Sequence, residues 1–178
     1  GQLGDGTTVD SHVPVQSTIT EVASFSAESA RSFVVKTDGS LWKTKSNAAN
    51  GWEQVVDANV TAVESARQNT VFTKADGSLW AMGDNVYGQL GDGSHVNRAD
   101  PFQVVDSGVT SAAAAGHTIF TKADGSLWAM GDNSKGQFGM GETSNPKRPV
   151  EVLPSGVAAG NPSGFGYVLK SDGALLYH

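Results

Sequence analysis

Oxygen-bearing side chains crowd two short stretches of this chain: Asp84, Asn85 and Asp92 in one, Asp132 and Asn133 in the other. Carboxylate and amide oxygens at close spacing are the ligands a calcium ion takes, but the spacing here does not follow a helix-loop-helix calcium loop. The same residues beside glycines have a second use. Asp and Asn bond their own backbone in turns, and Gly supplies positive φ. We read them as turn formers and expect no metal. The histidines, His12, His95, His117 and His178, form no H-x-x-x-H or H-E-x-x-H pair. The absence of cysteine removes thiolate ligands, disulfides and cysteine nucleophiles. Ser, His and Asp occur without a G-x-S-x-G elbow, and no G-x-x-x-x-G-K-[ST] phosphate loop is present. Gly88-Gln89-Leu90-Gly91-Asp92-Gly93 is not followed by a helical pattern, so it lacks the context of a dinucleotide fingerprint. The expectation is a protein without catalytic residues and without a cofactor.

Charge and hydropathy narrow the partners. The net charge is −6 and no basic run appears, which argues against nucleic acid and anionic membrane surfaces. No apolar stretch approaches the ~18 residues of a membrane span, so no membrane insertion is expected. The chain opens on Gly1 in the middle of a repeated phrase, and a processed or excised segment is expected.

What positions these residues is a repeat. Lys74-Ala75-Asp76-Gly77-Ser78-Leu79-Trp80-Ala81-Met82-Gly83-Asp84-Asn85 returns, unchanged, from Lys122 to Asn133. Looser copies begin at Lys36 and Lys170, so that Asp-Gly pairs stand at 38, 76, 124 and 172. A period of this size signals units that bury their apolar faces against one another. Within one unit Pro101–Val105, Val109–Ala115, His117–Lys122 and Ser126–Met130 are short apolar runs, with Asp124-Gly125 between the last two. Asp-Gly between apolar runs marks a hairpin, here expected as a type I′ turn. Ser111–Ala115 is Ala-rich, but its counterparts Thr61–Ser65 and Thr20–Phe25 carry β-branched and aromatic residues, so it is read as an innermost strand. Unit one is read as Val13–Val15, Ile19–Phe25, Ser32–Lys36 and Leu41-Trp42. The fold expected is all-β: a β-propeller of four four-stranded antiparallel blades in a single domain or propeller segment. Its repeat units lie at about 1–44, 45–83, 84–131 and 132–178. Trp42, Trp80 and Trp128 are expected between blades, and Trp52, in an irregular linker, is expected to be exposed.

The phrases G-D-N-x-x-G-Q-L-G-D-G (from Gly83), A-A-G-H (Ala114–His117) and D-G-S-L-W (from Asp76 and Asp124) resemble the regulator-of-chromosome-condensation repeat family. The Met-Gly-Asp-Asn wording is more similar to bacterial members. The resemblance implies a propeller, usually of seven blades. It also implies protein recognition: a secreted bacterial member inhibits β-lactamases through aromatic loops, and the eukaryotic founder acts on a small GTPase and docks on chromatin. Only Phe165 matches those aromatics in kind, and the acidic balance argues against chromatin. Four units fall short of the family's usual seven. The chain is then a piece of a larger propeller, a four-bladed ring, or half of a ring completed by a second copy. Its two ends are nearly consecutive parts of one inter-blade phrase, so we expect self-association into a closed ring as a homodimer.

Copies of one repeat share what holds the fold and differ where recognition is possible. Seven residues before each turn Asp stand Arg31, Asn69, His117 and Phe165, and Arg67 and Gln68 precede Asn69. These six are the expected partner-binding residues. The function expected is a non-catalytic protein-binding module of a bacterial extracellular or envelope protein, its protein partner unidentified. A carbohydrate-binding, lectin-like propeller is the alternative, and an enzyme with a site at the propeller axis is third.

Overall fold

The computed structural model describes residues 2–28, 31–45, 51–161 and 167–177. All the regular structure among them is β. Blade one holds β1 (Val22–Ala27), β2 (Ser32–Lys36), β3 (Leu41–Thr44) and β4 (Trp52–Val56). Blade two holds β5 (Val60–Ala66), β6 (Asn69–Lys74), β7 (Leu79–Gly83) and β8 (Arg98–Val105). Blade three holds β9 (Val109–Ala114), β10 (His117–Lys122), β11 (Leu127–Gly131) and β12 (Val150–Leu153). Blade four holds β13 (Val157–Asn161), β14 (Tyr167–Lys170) and β15 (Leu175–Tyr177), three strands among the described residues. Each sheet runs in chain order and is antiparallel.

The sheets are offset from the repeat units read along the sequence. The fourth strand of each complete blade, β4, β8 or β12, comes from the start of the following unit. One unit therefore stitches two blades together. Val13–Val15, expected as a strand, is not one. Its counterparts pair with the third strand of a preceding blade, and no such strand lies beside it.

Middle strands are buried on both faces because each is sandwiched between neighbouring blades; β6 and β10 are buried along all but their last residue. Phe33, Val35 and Leu41 of blade one pack with Val60, Val63, Phe72 and Met82 of blade two. Val71, Leu79 and Ala81 of blade two pack with Val109, Phe120 and Met130 of blade three. Leu127 of blade three meets Val157 and Val168 of blade four. Removal of these side chains from water is the force that stacks the blades.

The repeated phrase has a mechanical explanation. In the first turn Asp38 Oδ1 accepts from the Ser40 N–H (2.9 Å) and hydroxyl (2.6 Å), and the Trp42 indole N–H donates to Ser40 Oγ (2.8 Å). The same chain recurs at Asp76-Ser78-Trp80 and Asp124-Ser126-Trp128. The turn is not type I′. Only its Gly has positive φ, while the Lys36 carbonyl accepts from the Gly39 N–H (2.9 Å) and the Lys36 N–H donates to Ser40 O (2.9 Å). That is a three-residue loop, a type I turn closed by a left-handed Gly. The Ser contacts hold the Asp in the right-handed region, so only the glycine crosses over.

These turns also clasp the next blade. The Val60 N–H donates to Gly39 O (2.9 Å), Val109 to Gly77 O (2.9 Å) and Val157 to Gly125 O (3.0 Å). A Cβ on Gly77 would sit 2.7 Å from the Gly108 nitrogen, so the close approach excludes every other residue there. Trp80 and Trp128 pack at the blade seams, as expected. Trp80 and Trp128 stack on Phe72 and Phe120 of their own sheets at 6.2 Å, and Lys74 and Lys122 ammonium groups lie over the indoles at 4.7 and 4.5 Å.

Trp52 departs from expectation. It opens β4, is half-buried, and donates from Nε1 to Gly4 O (3.1 Å) and Ser17 Oγ (3.2 Å). The absent side chain of Gly4 makes room for its ring.

Candidate partner-binding face

The six residues expected to bind a partner fall into three groups. Arg31, Arg67 and Gln68 are exposed. Asn69 and His117 are buried, at 0% and 4% exposure, and so present no surface to a partner. Phe165 lies outside the described residues.

The turn between β5 and β6 is Arg67-Gln68, and Ala66 pairs with Asn69 across it. Both central residues have positive φ, 49° and 69°. This is a type I′ turn, built without the Asn-Gly that such turns favour. Long side chains in the left-handed region cost conformational energy and persist where surroundings fix them. The surroundings do so here. The Gln68 N–H donates to Glu28 Oε2 of blade one (2.6 Å), and the Gln68 carbonyl accepts from the Asp84 N–H (2.9 Å). The Asn69 amide, oriented from its hydrogen-bond partners, donates to the carbonyls of Ala66 (2.5 Å) and Ala115 (2.6 Å). It thereby ties this turn to the equivalent turn of blade three.

At that turn Gly116 is buried, and a Cβ on it would lie 3.6 Å from Arg67 Nη1 and 3.8 Å from Asp132 Oδ2. A side chain there would meet only ordinary contacts, and the Arg67 guanidinium and the Asp132 carboxylate both lie close enough to His117 to act on its charge. The imidazole packs edge-on against Phe138 at 5.5 Å. Burial pushes the His117 pKa down, Asp132 opposes that shift, and Arg67 reinforces it. The carboxyl of Asp132 lies below its usual range: partial burial raises it, while Ser134, His117 and Arg67 outweigh burial. The result is a fixed charge pattern over a neutral, buried imidazole, with an exposed arginine at its rim. Sequence comparison between copies identified Arg67 and His117 but missed Asp132, which is shared with Asp84 and so read as scaffold.

The other oxygen-rich residues are occupied by the fold. Asn85 Oδ1 accepts from the Leu90 N–H (2.9 Å), and its amide donates to Val96 O (3.2 Å) and Asp92 Oδ1 (3.1 Å). The side chain of Asp92 is fully covered and pairs with Arg98 Nε at 2.5 Å. Burial pushes the Asp92 carboxyl up, but Arg98, Ser94 and Asn85 together bring it down to about 2. Among the described residues no group of three His, Cys, Asp or Glu is placed to hold a metal. A separate open groove of about 480 Å³ lies between the outer strands of blades one and two, lined by Gln54, Val56, Asp57, Lys74, Trp80 and Pro101. The Lys74 ammonium lies over the Trp80 indole beside this groove.

The stretch Asp76–Phe120, from the clasp turn of blade two through β10 of blade three, matches the model of the Regulator of chromosome condensation (RCC1) repeat. The matched repeat frame thus straddles two blades, in the same offset seen between the sheets and the sequence units. No curated protein matches the chain. Among solved structures, human WBSCR16 is similar at 18% identity over 88% of this chain and 46% of its own, with a TM-score of 0.72. Prp20p from Saccharomyces cerevisiae, described with its binding to Gsp1p and histones, is similar at 12% identity over 85% and 44%, TM-score 0.71. Yeast RCC1 (Prp20) bound to Kap60 gives 14% identity over 85% and 42%, TM-score 0.69. At such identities the likeness is one of fold. The chain spans less than half the length of each of these structures.

Proposed function

We propose that the chain is a non-catalytic protein-binding module that self-associates into a ring and recognises its partner on the face carrying the β1–β2, β5–β6 and β9–β10 turns. Arg31, Arg67 and Gln68 supply the contact surface, and Phe165 belongs to the same set by sequence position. Asn69 and His117 act beneath that surface, holding the turns in place. The observation that carries the proposal is the Arg67-Gln68 turn: two exposed, long side chains held at φ 49° and 69° where Asn-Gly would fold more easily. Backbone strain held by the bonds to Glu28 and Asp84, with an exposed cation at its tip, suits recognition. The Prp20 structures described with Kap60, Gsp1p and histones lend the reading support by likeness of fold. A bacterial extracellular or envelope setting, suggested by the Met-Gly-Asp-Asn wording, is part of the same proposal.

The test replaces Arg67-Gln68 with Asn-Gly. The double variant is expected to fold with equal or greater stability, because it relieves the strain, and to lose capture of a protein partner from extracts of the source organism. Retained capture would overturn the assignment of this face. Binding on a glycan array by the native chain, with no protein captured, would favour the carbohydrate reading instead.

A further inference from the structure

Three junctions between blades are built from the same parts, and the two ends of the arc carry one unused half each. At every internal junction the clasp glycine meets the residue before the next first strand. A Cβ on Gly39, Gly77 or Gly125 would lie 2.8, 2.7 or 3.1 Å from the backbone nitrogen of Asn59, Gly108 or Gly156. The Val that follows donates its N–H to the clasp carbonyl. Beside each clasp a leucine is buried, Leu41 at 0%, Leu79 at 0% and Leu127 at 3%, against that Val: Val60 at 4%, Val109 at 7% and Val157 at 8%.

Blade four ends in the giving half. Gly173 has φ 85°, matching its three counterparts, and nothing within 4 Å of its Cβ position. Leu175, equivalent to Leu127, is 62% exposed, and Leu169 is 42% exposed. Blade one begins with the receiving half. Glu21, equivalent to Asn59, Gly108 and Gly156, is already left-handed at φ 58°, and its carbonyl accepts from the Thr37 N–H (2.8 Å). Val22, equivalent to Val60, is 43% exposed. Phe25, equivalent to Val63, which is 4% exposed, is 74% exposed.

The geometry points to a second copy of this chain as the occupant of both halves. Gly173 of one copy would accept from the Val22 N–H of the other, and Leu169 and Leu175 would close on Val22 and Phe25. This rests on the ring reading above and specifies its seam. Both halves hold the backbone conformation of the formed junction, so little ordering remains to be done on association. The arc follows the curvature of rings of which it covers less than half, so closing on itself would require a far tighter bend than its own junctions show. Two copies related by a two-fold axis make the seam twice and leave no open edge.

The chain has no cysteine, so single introduced thiols are unique reporters. Phe25→Cys and Leu175→Cys are prepared separately, and both positions are exposed enough that the separate chains should fold. The expectation is a mass by light scattering of twice 18.4 kDa. A short bismaleimide should link Phe25→Cys to Leu175→Cys only when the two proteins are mixed, and Phe25→Glu should return the monomer mass. A native monomer mass would overturn the seam and the ring together. A dimer in which Phe25→Cys links to itself would overturn the seam while leaving self-association standing. Cross-linking inside one chain of the double variant would replace it with four-bladed closure.

Discussion

The inter-blade phrases 83–97 and 131–145 share one skeleton although seven of their fifteen residues differ. In both, an asparagine at 0% exposure organises the loop. The Asn85 and Asn133 side-chain oxygens accept from Leu90 (2.9 Å) and Phe138 (3.0 Å), and their own N–H groups donate to the Asn97 (2.8 Å) and Asn145 (2.7 Å) side chains. The first phrase adds an ion pair, Asp92 with Arg98, where the second has Met140 packed beside Ile119 and Phe138. Asp84 accepts from its neighbour Gln89 (3.1 Å), whereas Asp132 turns to the charge pattern over His117. The loop fold is therefore set by the asparagine, and what surrounds it is free to become a lock or a recognition site.

The largest effect should come from the shared part. Asn85→Ala and Asn133→Ala each leave a buried backbone N–H, that of Leu90 or Phe138, without its acceptor, and free several carbonyls besides. One orphaned buried donor plus two lost hydrogen bonds places the loss at about 3 kcal/mol in each case. Urea denaturation of the two variants should give equal losses. A difference of more than about 1 kcal/mol would show that the two loops do not rest on the same skeleton.

The ion pair comes next. Asp92→Asn should cost roughly 1–2 kcal/mol after discounting for the partly exposed Arg98, and Met140→Gln should not mimic it. The folded pKa of Asp92, about 2, lies below its unfolded value near 3.8. The contribution is therefore present above the unfolded value and lost as pH falls through about 2. Native and Asp92→Asn stabilities should converge between pH 4 and pH 2, and parallel curves would refute the lock.

Much of this was legible in the sequence, and the failures have causes. Strands and clasp turns could be read because apolar runs ending in Asp-Gly allow few other conformations. The offset of blade from repeat could not, because the partner of each outer strand is set by the previous unit rather than by its own residues. The turn type was missed because Ser78 and its counterparts, which look like filler, hold the Asp by side-chain contacts. The type I′ turn at Arg67-Gln68 carries no residue that announces positive φ. Buried His117 and Asn69 looked like surface because variation between copies also occurs where two buried layers are tuned to each other.

His117 sharpens the contrast from the other phrase. Its folded pKa is pushed below the ordinary 6.5, chiefly by burial. The unfolded chain then binds more protons as pH falls below that value, so stability should be full above it and decline on acidification. His117→Phe should remove that part of the slope. An unchanged slope between pH 7 and pH 5 would mean that the imidazole protonates freely and is less enclosed than the Phe138 contact implies.

The smallest effect tests where the surface begins. Arg31 and Gln68 expose their side chains, and the bonds that fix their turns are made by the main chain: the Glu28 N–H to Arg31 O at 2.9 Å, and the Gln68 N–H to Glu28 Oε2 at 2.6 Å. Arg31→Ala and Gln68→Ala should each change stability by less than about 0.5 kcal/mol, the range of surface substitutions that leave the backbone intact. Asn69→Ala, one residue away, breaks the tie to Ala115 across the blade seam and should cost several times more. Differential scanning calorimetry of the three variants would trace the boundary between what faces a partner and what holds that face in place. If Arg31→Ala proved as damaging as Asn69→Ala, the exposed rim would belong to the scaffold, and recognition would have to be sought on another part of the ring.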